Sequence, residues 1–402
     1  MNERLIVKSF GPVKDIDITF KKVTLFIGDQ GTGKSCVAKL FSMFKWLEKC
    51  LGMQHQAINY YEQYNRFKTK LCAYHRIDTF FRNDTYIKFE GRDYDFEYKD
   101  GVFHVSDKGK KFKVPPKIMY VPAERSILSV AENRPKLLKE LPDSCATFFD
   151  EVVNAKLNYQ EGYNLPFESL RFEYDPLNDV GWVRGEDYRV RLINASSGIQ
   201  SALPLCMVSE YLSRKVLERE DIKISKEERT KMEKRVKEIL QNKDYSEEIK
   251  DIMLKQLSAT SRYGCFINIV EEPELNLFPK SQMDVLYSLV KNNAASPDNM
   301  LVLTTHSPYT LAIFNLMILA SKVTMQGDNK MKKDVADMLP LECHVSPDNI
   351  VAFRLSEREA PYCKSIIGDI SKMISKNDLD IASEDIMQQF NALYRLYAKV
   401  IK

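Results

Sequence analysis

The sequence lacks the features that mark zinc-binding, membrane-spanning and repeat proteins. Its eight cysteines form no Cys-X-X-Cys pair, which argues against a zinc framework; with no secretory leader, they indicate free thiols in the cytoplasm. No stretch reaches the roughly 18 consecutive apolar residues that a membrane span needs. Internal repeats and low-complexity tracts are also missing. The net charge of +3 is too small to argue for nucleic-acid binding by itself.

What the sequence does contain is a glycine-rich stretch, GDQGTGKS, at 28–35. Alternating apolar residues precede it and apolar residues at helical spacing follow it, so it lies between a strand and a helix. There the glycines let backbone N–H groups close around phosphates, the lysine reaches the β- and γ-phosphates, and the serine holds Mg²⁺. The predicted ATP-binding residues are Gly28, Gly31, Gly33, Lys34, Ser35 and Cys36, with Ser35 also a metal ligand. A chance glycine turn is the alternative.

A second segment, CFINIVEEPELNLFP at 265–279, begins as an apolar run and then presents two adjacent carboxylates. The run is typical of a buried parallel strand. At the tip of such a strand Glu271 can hold the hydration shell of Mg²⁺, and Glu272 can orient or deprotonate an attacking water. Two solvated glutamates at the start of a helix are the alternative, because acidic side chains are favoured there.

Two further segments suggest contacts with phosphate. The run MLVLTTHSPYTLAIF places His306 at a strand tip, where it can contact a γ-phosphate and sense its loss; an incidental core histidine is the alternative. In INASSGIQSALPL, Ser197, Gly198 and Gln200 lead into an apolar helix. These residues form either a plain N-cap or a helix N-terminus presented to a phosphate.

Taken in order, the four segments resemble the motifs of the ABC-type ATPases, in the soluble branch that includes RecF, the SMC proteins and the overcoming-lysogenisation-defect (OLD) family. GDQGTGKS resembles Walker A, SSGIQ the LSGGQ signature, INIVEEPE Walker B with the catalytic glutamate, and TTHSP the switch histidine. The resemblance implies an ATPase whose subunits pair head to tail. ATP and Mg²⁺ are then buried between Lys34 of one subunit and Ser197 of the other, and hydrolysis weakens the pair.

The chain departs from this family pattern at three places. Glu271 replaces the Walker B aspartate, and Gln30 takes the place of the Walker A asparagine. In KIMYVPAERS the Q-loop glutamine is missing, and Ala123 and Glu124 stand there instead. Either Glu124 reaches the metal, or Arg125 contacts a phosphate or the opposite subunit; the sequence does not decide between these roles.

The wording EEPELNLFP and THSPYTL is closest to the defence-associated ATPases of the OLD-like group, such as the ATPase subunits of Septu, PARIS and some retron systems. Many OLD proteins carry a C-terminal TOPRIM nuclease, but only 96 residues (402 − 306) follow His306 here. Asp378 and Asp380 among them are interpreted as a solvated turn before an amphipathic helix. The resemblance thus implies a switch that controls a separate effector, a nuclease or toxin, in anti-phage defence.

Two alternatives to that role come from other classes of protein. The first is a DNA-binding repair ATPase of the RecF or SMC type, which predicts a DNA affinity that depends on ATP and falls steeply with salt. The second is the nucleotide-binding subunit of a transporter, which the motif wording and the altered Q-loop disfavour. A homodimer or higher homo-oligomer is expected, DNA stays open as a partner, and no membrane partner is expected.

We expect one composite α/β domain over 1–402, an ABC-ATPase head with a mixed sheet around the phosphate loop. Three segments are expected to elaborate it: an inserted β/α lobe at 50–112, a charged helical insertion at 213–260 and a C-terminal extension at 321–402 that ends in a helix. Aromatics interleaved with Lys and Arg in the first segment either stack on nucleic acid or form the core and surface of the lobe. The charged insertion is either a solvated hairpin or a partner contact. Basic residues after Ser321 are a weak candidate for contact with a phosphate backbone.

Overall fold

The computed structural model describes residues 3–53, 57–109, 114–127, 140–167, 169–218, 263–358, 360–375 and 386–394, with a few positions between 234 and 253. The strands are β1 (Glu3–Phe10), β2 (Val13–Phe20), β3 (Val23–Gly28), β4 (Phe81–Glu90), β5 (Tyr94–Lys99), β6 (Val102–Asp107), β7 (Lys117–Val121), β8 (Tyr163–Asn164), β9 (Arg171–Asp175), β10 (Val180–Arg184), β11 (Arg189–Arg191), β12 (Phe266–Glu271), β13 (Met300–Thr305), β14 (Ile350–Leu355) and β15 (Cys363–Ser365). The helices are α1 (Lys34–Gly52), α2 (Ile58–Glu62), α3 (Asp143–Asn158), α4 (Ser197–Leu217), α5 (Pro279–Ala294), α6 (Pro308–Gln326) and α7 (Asn329–Met338).

The centre of the fold is a six-stranded sheet with the order β15-β14-β3-β13-β12-β7. Five of its strands run parallel, and β15 pairs antiparallel with β14 at one edge. Parallel strands place all their carboxyl ends at the same edge, so the residues that follow β3, β12 and β13 meet there. The predicted α/β class, with a mixed sheet around the glycine-rich loop, is confirmed.

The central sheet is buried on both faces because its strands are short apolar runs. Along β3, Leu25 and Ile27 face one hydrophobic core, whereas Phe26 faces a second core on the opposite side. Helices α3 to α6 pack into the first core, and α1 packs into the second. All six residues of β12 are buried, which fixes the strand whose tip carries the acidic pair.

A second sheet, with the order β2-β1-β4-β5-β6, covers α1 from the other side. Its strands are antiparallel and bring together an aromatic core, in which the ring of Phe44 on α1 lies 5.1 Å from that of Phe89 and 5.5 Å from that of Phe96. The segment at 50–112 therefore shares one sheet with the N-terminal strands. Its buried rings are core residues, the second of the two interpretations of that segment.

A third sheet, with the order β11-β10-β9-β8, leads directly into α4. Alternation along its strands turns Phe172 and Val183 into the first core. The charged side chains that alternate with them along β9 and β10, namely Arg171, Glu173 and Arg184, lie on the opposite face of the sheet. This small sheet thus supports the N-terminus of α4 from one side.

The C-terminal segment at 321–402 is more than an extension, because β14 within it lies beside β3 in the centre of the main sheet. Its apolar run IVAFRL is buried at five of six positions, which explains the location. Residues 386–394 are helical. Most of the charged insertion at 213–260, and both Asp378 and Asp380, lie outside the described residues.

Helix α6 follows the strand tip that carries His306. Within the described ranges it alone is long and apolar enough to cross a membrane by length and composition. One of its faces, with Phe314, Met317 and Ile318, is fully buried in the first core. The opposite face exposes Leu316 and Leu319.

Candidate functional site

The glycine-rich loop joins the end of β3 to the start of α1, as predicted. Gly28 has a φ of +152°, and a β-carbon there would lie 2.0 Å from the carbonyl oxygen of Leu355 on β14. Gly33 has a φ of +83°, and its β-carbon would lie 2.7 Å from Cγ2 of Val13. Both ends of the loop therefore require glycine, by conformation and by close approach. Gly31, with a φ of +78°, has no neighbour within 4 Å of that position.

Lys34 is the first residue of α1, and its ammonium group turns back over the loop. Its Nζ donates hydrogen bonds to the carbonyl oxygens of Gly28, at 2.8 Å, and Asp29, at 2.7 Å. Burial lowers the pKa of Lys34 to about 8, against the opposing effect of Glu272. Ser35 is half-buried in the first turn of α1. The buried Cys36 side chain packs into the second core, so this residue can offer only its backbone N–H to a phosphate.

The acidic pair lies at the carboxyl end of β12, but its two members differ sharply. Glu271 is buried, and its Oε2 accepts a hydrogen bond of 3.3 Å from the N–H of Ala123. Its Oε1 has no hydrogen-bond partner among the residues that the structure describes, and the buried hydroxyl of Tyr120 lies near the carboxylate. Glu272 has a φ of +44°, and its N–H donates to the carbonyl oxygen of Thr304 at 2.9 Å. That conformation turns its partly exposed carboxylate away from the core. Glu271 is therefore enclosed by the protein, whereas the carboxylate of Glu272 is accessible to solvent.

His306 lies beside Glu272, with 3.7 Å between its Nε2 and the glutamate Oε1. Burial, together with repulsion from Lys34, lowers the pKa of the imidazole below its ordinary value. A lowered pKa favours the neutral imidazole at pH 7. The structure thus brings together the loop lysine, the second carboxylate and the histidine, which are the residues predicted to surround the reacting phosphate.

A third carboxylate, Glu274, belongs to the same site and was missed in the sequence. Its Oε1 accepts hydrogen bonds from Oγ1 of Thr305, at 2.8 Å, and from the N–H of His306, at 2.7 Å. Burial raises the pKa of Glu274, opposed by those hydrogen bonds. Its place two residues after Glu272, beyond a proline, was the only signal. Glu274 fixes the backbone from which His306 projects.

The signature-like segment forms the N-terminus of α4, with Ser196 as its N-cap. Ser197 is exposed there, whereas Gly198 is buried and a β-carbon on it would lie 2.7 Å from the carbonyl oxygen of Asn276. Gln200 is turned inward, and its Nε2 donates to the carbonyl oxygens of Leu192 and Ile193 at 3.2 and 2.9 Å. Of the three predicted residues, Ser197 is therefore the one that faces solvent.

The Q-loop-like segment follows β7 and places Glu124 and Arg125 on opposite sides. Glu124 is exposed, beside the backbone that contacts Glu271. Arg125 is fully buried, and among the described residues its guanidinium donates only to backbone carbonyl oxygens. The orientation of Arg125 is therefore inward, away from the roles with phosphate or an opposite subunit that were open in the sequence.

The loop between β14 and β15 closes over the glycine-rich loop from the C-terminal side. The hydroxyl of Tyr362 donates to the carbonyl oxygen of Thr32, and it lies 3.2 Å from that of Pro12. Arg358 lies 3.5 Å from the carboxylate of Asp29. No signal in the sequence pointed to these contacts, because the partners are more than 300 residues apart.

No protein-family model and no curated protein matches the chain. Among solved structures it is similar to the SMC head domain from Thermotoga maritima, with 13% identity, 78% of this chain and 91% of that chain covered, and a TM-score of 0.34. It is also similar to the recombination mediator protein RecF, with 13% identity, 76% and 92% coverage and a TM-score of 0.28. An Smc head from Pyrococcus furiosus bound to the C-terminal domain of ScpA has 12% identity, 78% and 91% coverage and a TM-score of 0.31.

Proposed function

We propose that this chain is an Mg²⁺-dependent ATPase of the ABC type that acts as a molecular switch. The observation that carries the proposal is the common location of Lys34, Glu272 and His306. The lysine interacts electrostatically with the other two, which are 3.7 Å apart. A phosphate-binding loop that faces a carboxylate and a neutral imidazole suits transfer of a phosphoryl group to water.

The residues around the loop fit a magnesium ion bound together with a nucleotide. Within the described part of the chain, the buried Oε1 of Glu271 has no hydrogen-bond partner, and such an acceptor suits the hydration shell of a divalent cation. Ser35 supplies a hydroxyl at the start of α1, and the exposed Glu124 is the further metal candidate. When bound, Mg²⁺ neutralises charge on the phosphate oxygens.

Glu272 and His306 divide the remaining chemistry between them. The carboxylate of Glu272 orients the attacking water and accepts its proton. The neutral imidazole of His306 donates a hydrogen bond toward the γ-phosphate, and loss of that phosphate removes its partner. Glu274 holds the histidine backbone in place through the 2.7 Å hydrogen bond to its N–H.

The exposure of Ser197 supports a head-to-tail pair of subunits. Because Gly198 and Gln200 are buried within their own chain while Ser197 faces solvent, Ser197 is the residue available to a nucleotide held by another copy. ATP then bridges Lys34 of one subunit and Ser197 of its partner, and hydrolysis opens the pair. Binding of ATP shifts the equilibrium toward the closed pair only because the closed state offers these added contacts.

We further propose that the switch controls a separate effector protein, a nuclease or toxin, in anti-phage defence. This step rests on the wording of EEPELNLFP and THSPYTL and on the lack of a recognisable nuclease motif in the sequence. In this proposal the nuclease or toxin activity belongs to the effector protein, and this chain controls when the effector is active.

The ATPase proposal is tested by steady-state ATP turnover and ATP binding of three proteins: wild type, Lys34→Ala and Glu272→Gln. Lys34→Ala should lose ATP binding, because the phosphate charge loses its counter-charge. Glu272→Gln should keep binding while turnover falls at least ~10²-fold, the usual contribution of a general base. Wild-type turnover in Glu272→Gln means that the catalytic assignment is wrong.

A DNA-acting ATPase is the second candidate, and one surface favours it. The outward face of the third sheet carries four exposed arginines around a half-buried tryptophan, namely Arg171, Arg184, Arg189, Arg191 and Trp182. The guanidinium of Arg189 lies 4.4 Å from the centre of the Trp182 ring. Glu173 offsets part of this charge, through ion pairs of 3.5 Å with Arg184 and 3.0 Å with Arg189. Such a face offers phosphate contacts and an aromatic platform.

Duplex DNA at two salt concentrations separates the two candidates. Turnover that depends on Glu272 and ignores DNA supports a switch directed at a protein partner. Stimulation by DNA that disappears at high salt, and in an Arg184→Glu/Arg189→Glu variant, supports the DNA-acting candidate.

A further inference from the structure

A buried arginine, Arg125, connects the loop at 271–277, which follows β12, to the N-terminal turns of α4. We propose that Arg125 is a positioning residue that makes the placement of Glu272 depend on the placement of α4, so that catalysis follows closure of the signature helix onto ATP. This inference rests on the proposed ATPase function and specifies how that site is regulated.

The guanidinium of Arg125 reaches three separate parts of the chain. Its Nη1 donates to the carbonyl oxygen of Glu271 at 2.6 Å and to that of Pro122 at 3.2 Å. Its Nη2 donates to the carbonyl oxygen of Glu272 at 2.5 Å. Its Nε donates to the carbonyl oxygen of Ser201, in the first turns of α4, at 3.1 Å. One rigid, planar group therefore ties the end of β12 to α4.

The bond to the carbonyl of Glu272 matters because the backbone there is in a rare conformation. Glu272 has a φ of +44° and precedes Pro273, and both features disfavour an ordinary side chain at this position. Such a conformation persists only where its surroundings hold it. Arg125 donates a hydrogen bond to the carbonyl oxygen of Glu272, and the carboxylate of the same residue lies 3.7 Å from the imidazole of His306. Release of the carbonyl allows the peptide to relax and carries the carboxylate away from the imidazole.

The helix side of the connection has a second point of contact. Gly198, one turn before Ser201, packs so closely on the 271–277 loop that a β-carbon would lie 2.7 Å from the carbonyl oxygen of Asn276. The N-terminus of α4 is thus connected to the 271–277 loop by the hydrogen bonds of Arg125 and contacts the same loop closely at Gly198. A shift of this helix on closure must be transmitted to Glu272.

A buried cation is costly, and its surroundings explain how it is tolerated. Burial lowers the pKa of Arg125 to about 10, opposed by the nearby carboxylates of Glu274, Glu272 and Glu271. The side chain therefore stays charged at neutral pH. Its removal leaves carbonyl oxygens without donors in a closed interior, which is the situation that loosens a loop.

The test compares Arg125→Lys with Glu272→Gln. Lysine keeps the charge, but its single ammonium group cannot span the four carbonyl oxygens that the planar guanidinium reaches. Arg125→Lys should lower turnover by about tenfold or more, keep ATP affinity within about threefold, and lose ATP-dependent association of subunits. Glu272→Gln should lose turnover while association persists. If Arg125→Lys loses turnover but associates normally, or keeps turnover within about twofold of wild type, the coupling proposal is wrong.

Hydrogen exchange of the nucleotide-free protein tests the same connection without relying on ATP hydrolysis. In Arg125→Lys, amide exchange should become faster both in the 271–277 loop and in the first turns of α4. Glu48→Gln, which alters a fully buried charge on α1, is the matched control and should change neither. Faster exchange in only one of the two segments, or in neither, overturns the proposal even for a variant too unstable for kinetics. Absence of ATP turnover in the wild type overturns the proposed function and leaves this structural connection to be judged by exchange alone.

Discussion

Glu274 and Lys34 are single residues whose charge is expected to matter in the proposed ATP site. Glu274 is a half-buried residue, and one oxygen of its carboxylate accepts two hydrogen bonds, from the hydroxyl of Thr305 and the N–H of His306. Hydrogen bonds to a charged acceptor are stronger than those to a neutral one. We therefore expect the charge on Glu274 to matter for the exact orientation of His306.

Glu274→Gln should lower the turnover number of the proposed ATPase roughly tenfold, with little change in KM. The amide keeps the shape and one acceptor but loses the charge, and a charge-assisted bond is worth about 1.5 kcal/mol or more, equivalent to about tenfold in rate. Steady-state kinetics at saturating and limiting ATP check this. Glu342→Gln, an exposed glutamate away from the site, is the control. A raised KM at unchanged turnover would contradict a role in orienting the histidine.

If the proposed function holds, Lys34 should make ATP affinity depend on pH in the alkaline range. In that proposal the protonated form binds phosphate, and burial lowers the pKa of Lys34 in the free protein to about 8. Affinity should therefore be constant below pH 8 and fall as pH rises above it, by up to about tenfold per unit. Titration of a fluorescent ATP analogue at several pH values from 7 to 10 measures this. Lys34→Arg stays charged throughout. Its affinity, whatever its absolute value, should not follow pH, and an equal slope in both proteins would contradict the assignment.

That Lys34, the acidic pair and His306 lie at or just after the ends of parallel strands could be predicted, because each belongs to a short motif behind an apolar run. Their roles stay predictions. The parallel sheet then brings these strand ends to one edge without further information. Glu274 and the inward turn of Arg125 could not be predicted, since their partners lie 31 to 147 residues away in sequence. Long-range hydrogen bonds leave no periodic pattern in the sequence.

Among the elements, β14 has the largest unexpected influence on the site. It was expected within a C-terminal extension, yet it pairs with β3 along its whole length, from Ile350 opposite Val23 to Leu355 opposite Gly28. An apolar run shows that a strand is buried but not which strand it pairs with, so this neighbour could not be read from sequence. Its carbonyl at Leu355 leaves no room for a side chain at the first loop glycine.

Gly28→Ala should therefore destabilise the protein much more than Gly31→Ala. Both positions have positive φ, so both substitutions carry a backbone cost of about 1–3 kcal/mol. Only at Gly28 must β14 also move, because the new β-carbon would lie 2.0 Å from the Leu355 carbonyl oxygen. Thermal unfolding of the two variants, with far-UV circular dichroism, compares them. Equal midpoints would show that β14 does not press on the loop in solution.

At the scale of the whole molecule, the predicted head-to-tail pairing depends on a residue that its own chain leaves exposed. Ser197→Arg should keep ATP binding by the single subunit and abolish ATP-dependent association, because a bulky cation replaces a small hydroxyl at the subunit contact. Light scattering coupled to size-exclusion chromatography, with Glu272→Gln as the background, measures the mass with and without ATP. Asn194→Arg, an exposed residue of the preceding turn, is the matched control. Association that survives Ser197→Arg would argue for a different interface.

Because β3 pairs with both β13 and β14, the proposed ATP site can form only after both of these later strands have been synthesised. The phosphate loop leaves the ribosome well before β14, because 321 residues (349 − 28) lie between the end of β3 and the start of β14. At about 5–20 residues per second, synthesis of that stretch takes roughly 16–64 s. A growing chain is therefore expected not to bind ATP until β14 has been synthesised and can pair with β3. Ribosome-arrested chains that stop before residue 350 should pass through an ATP resin without retention.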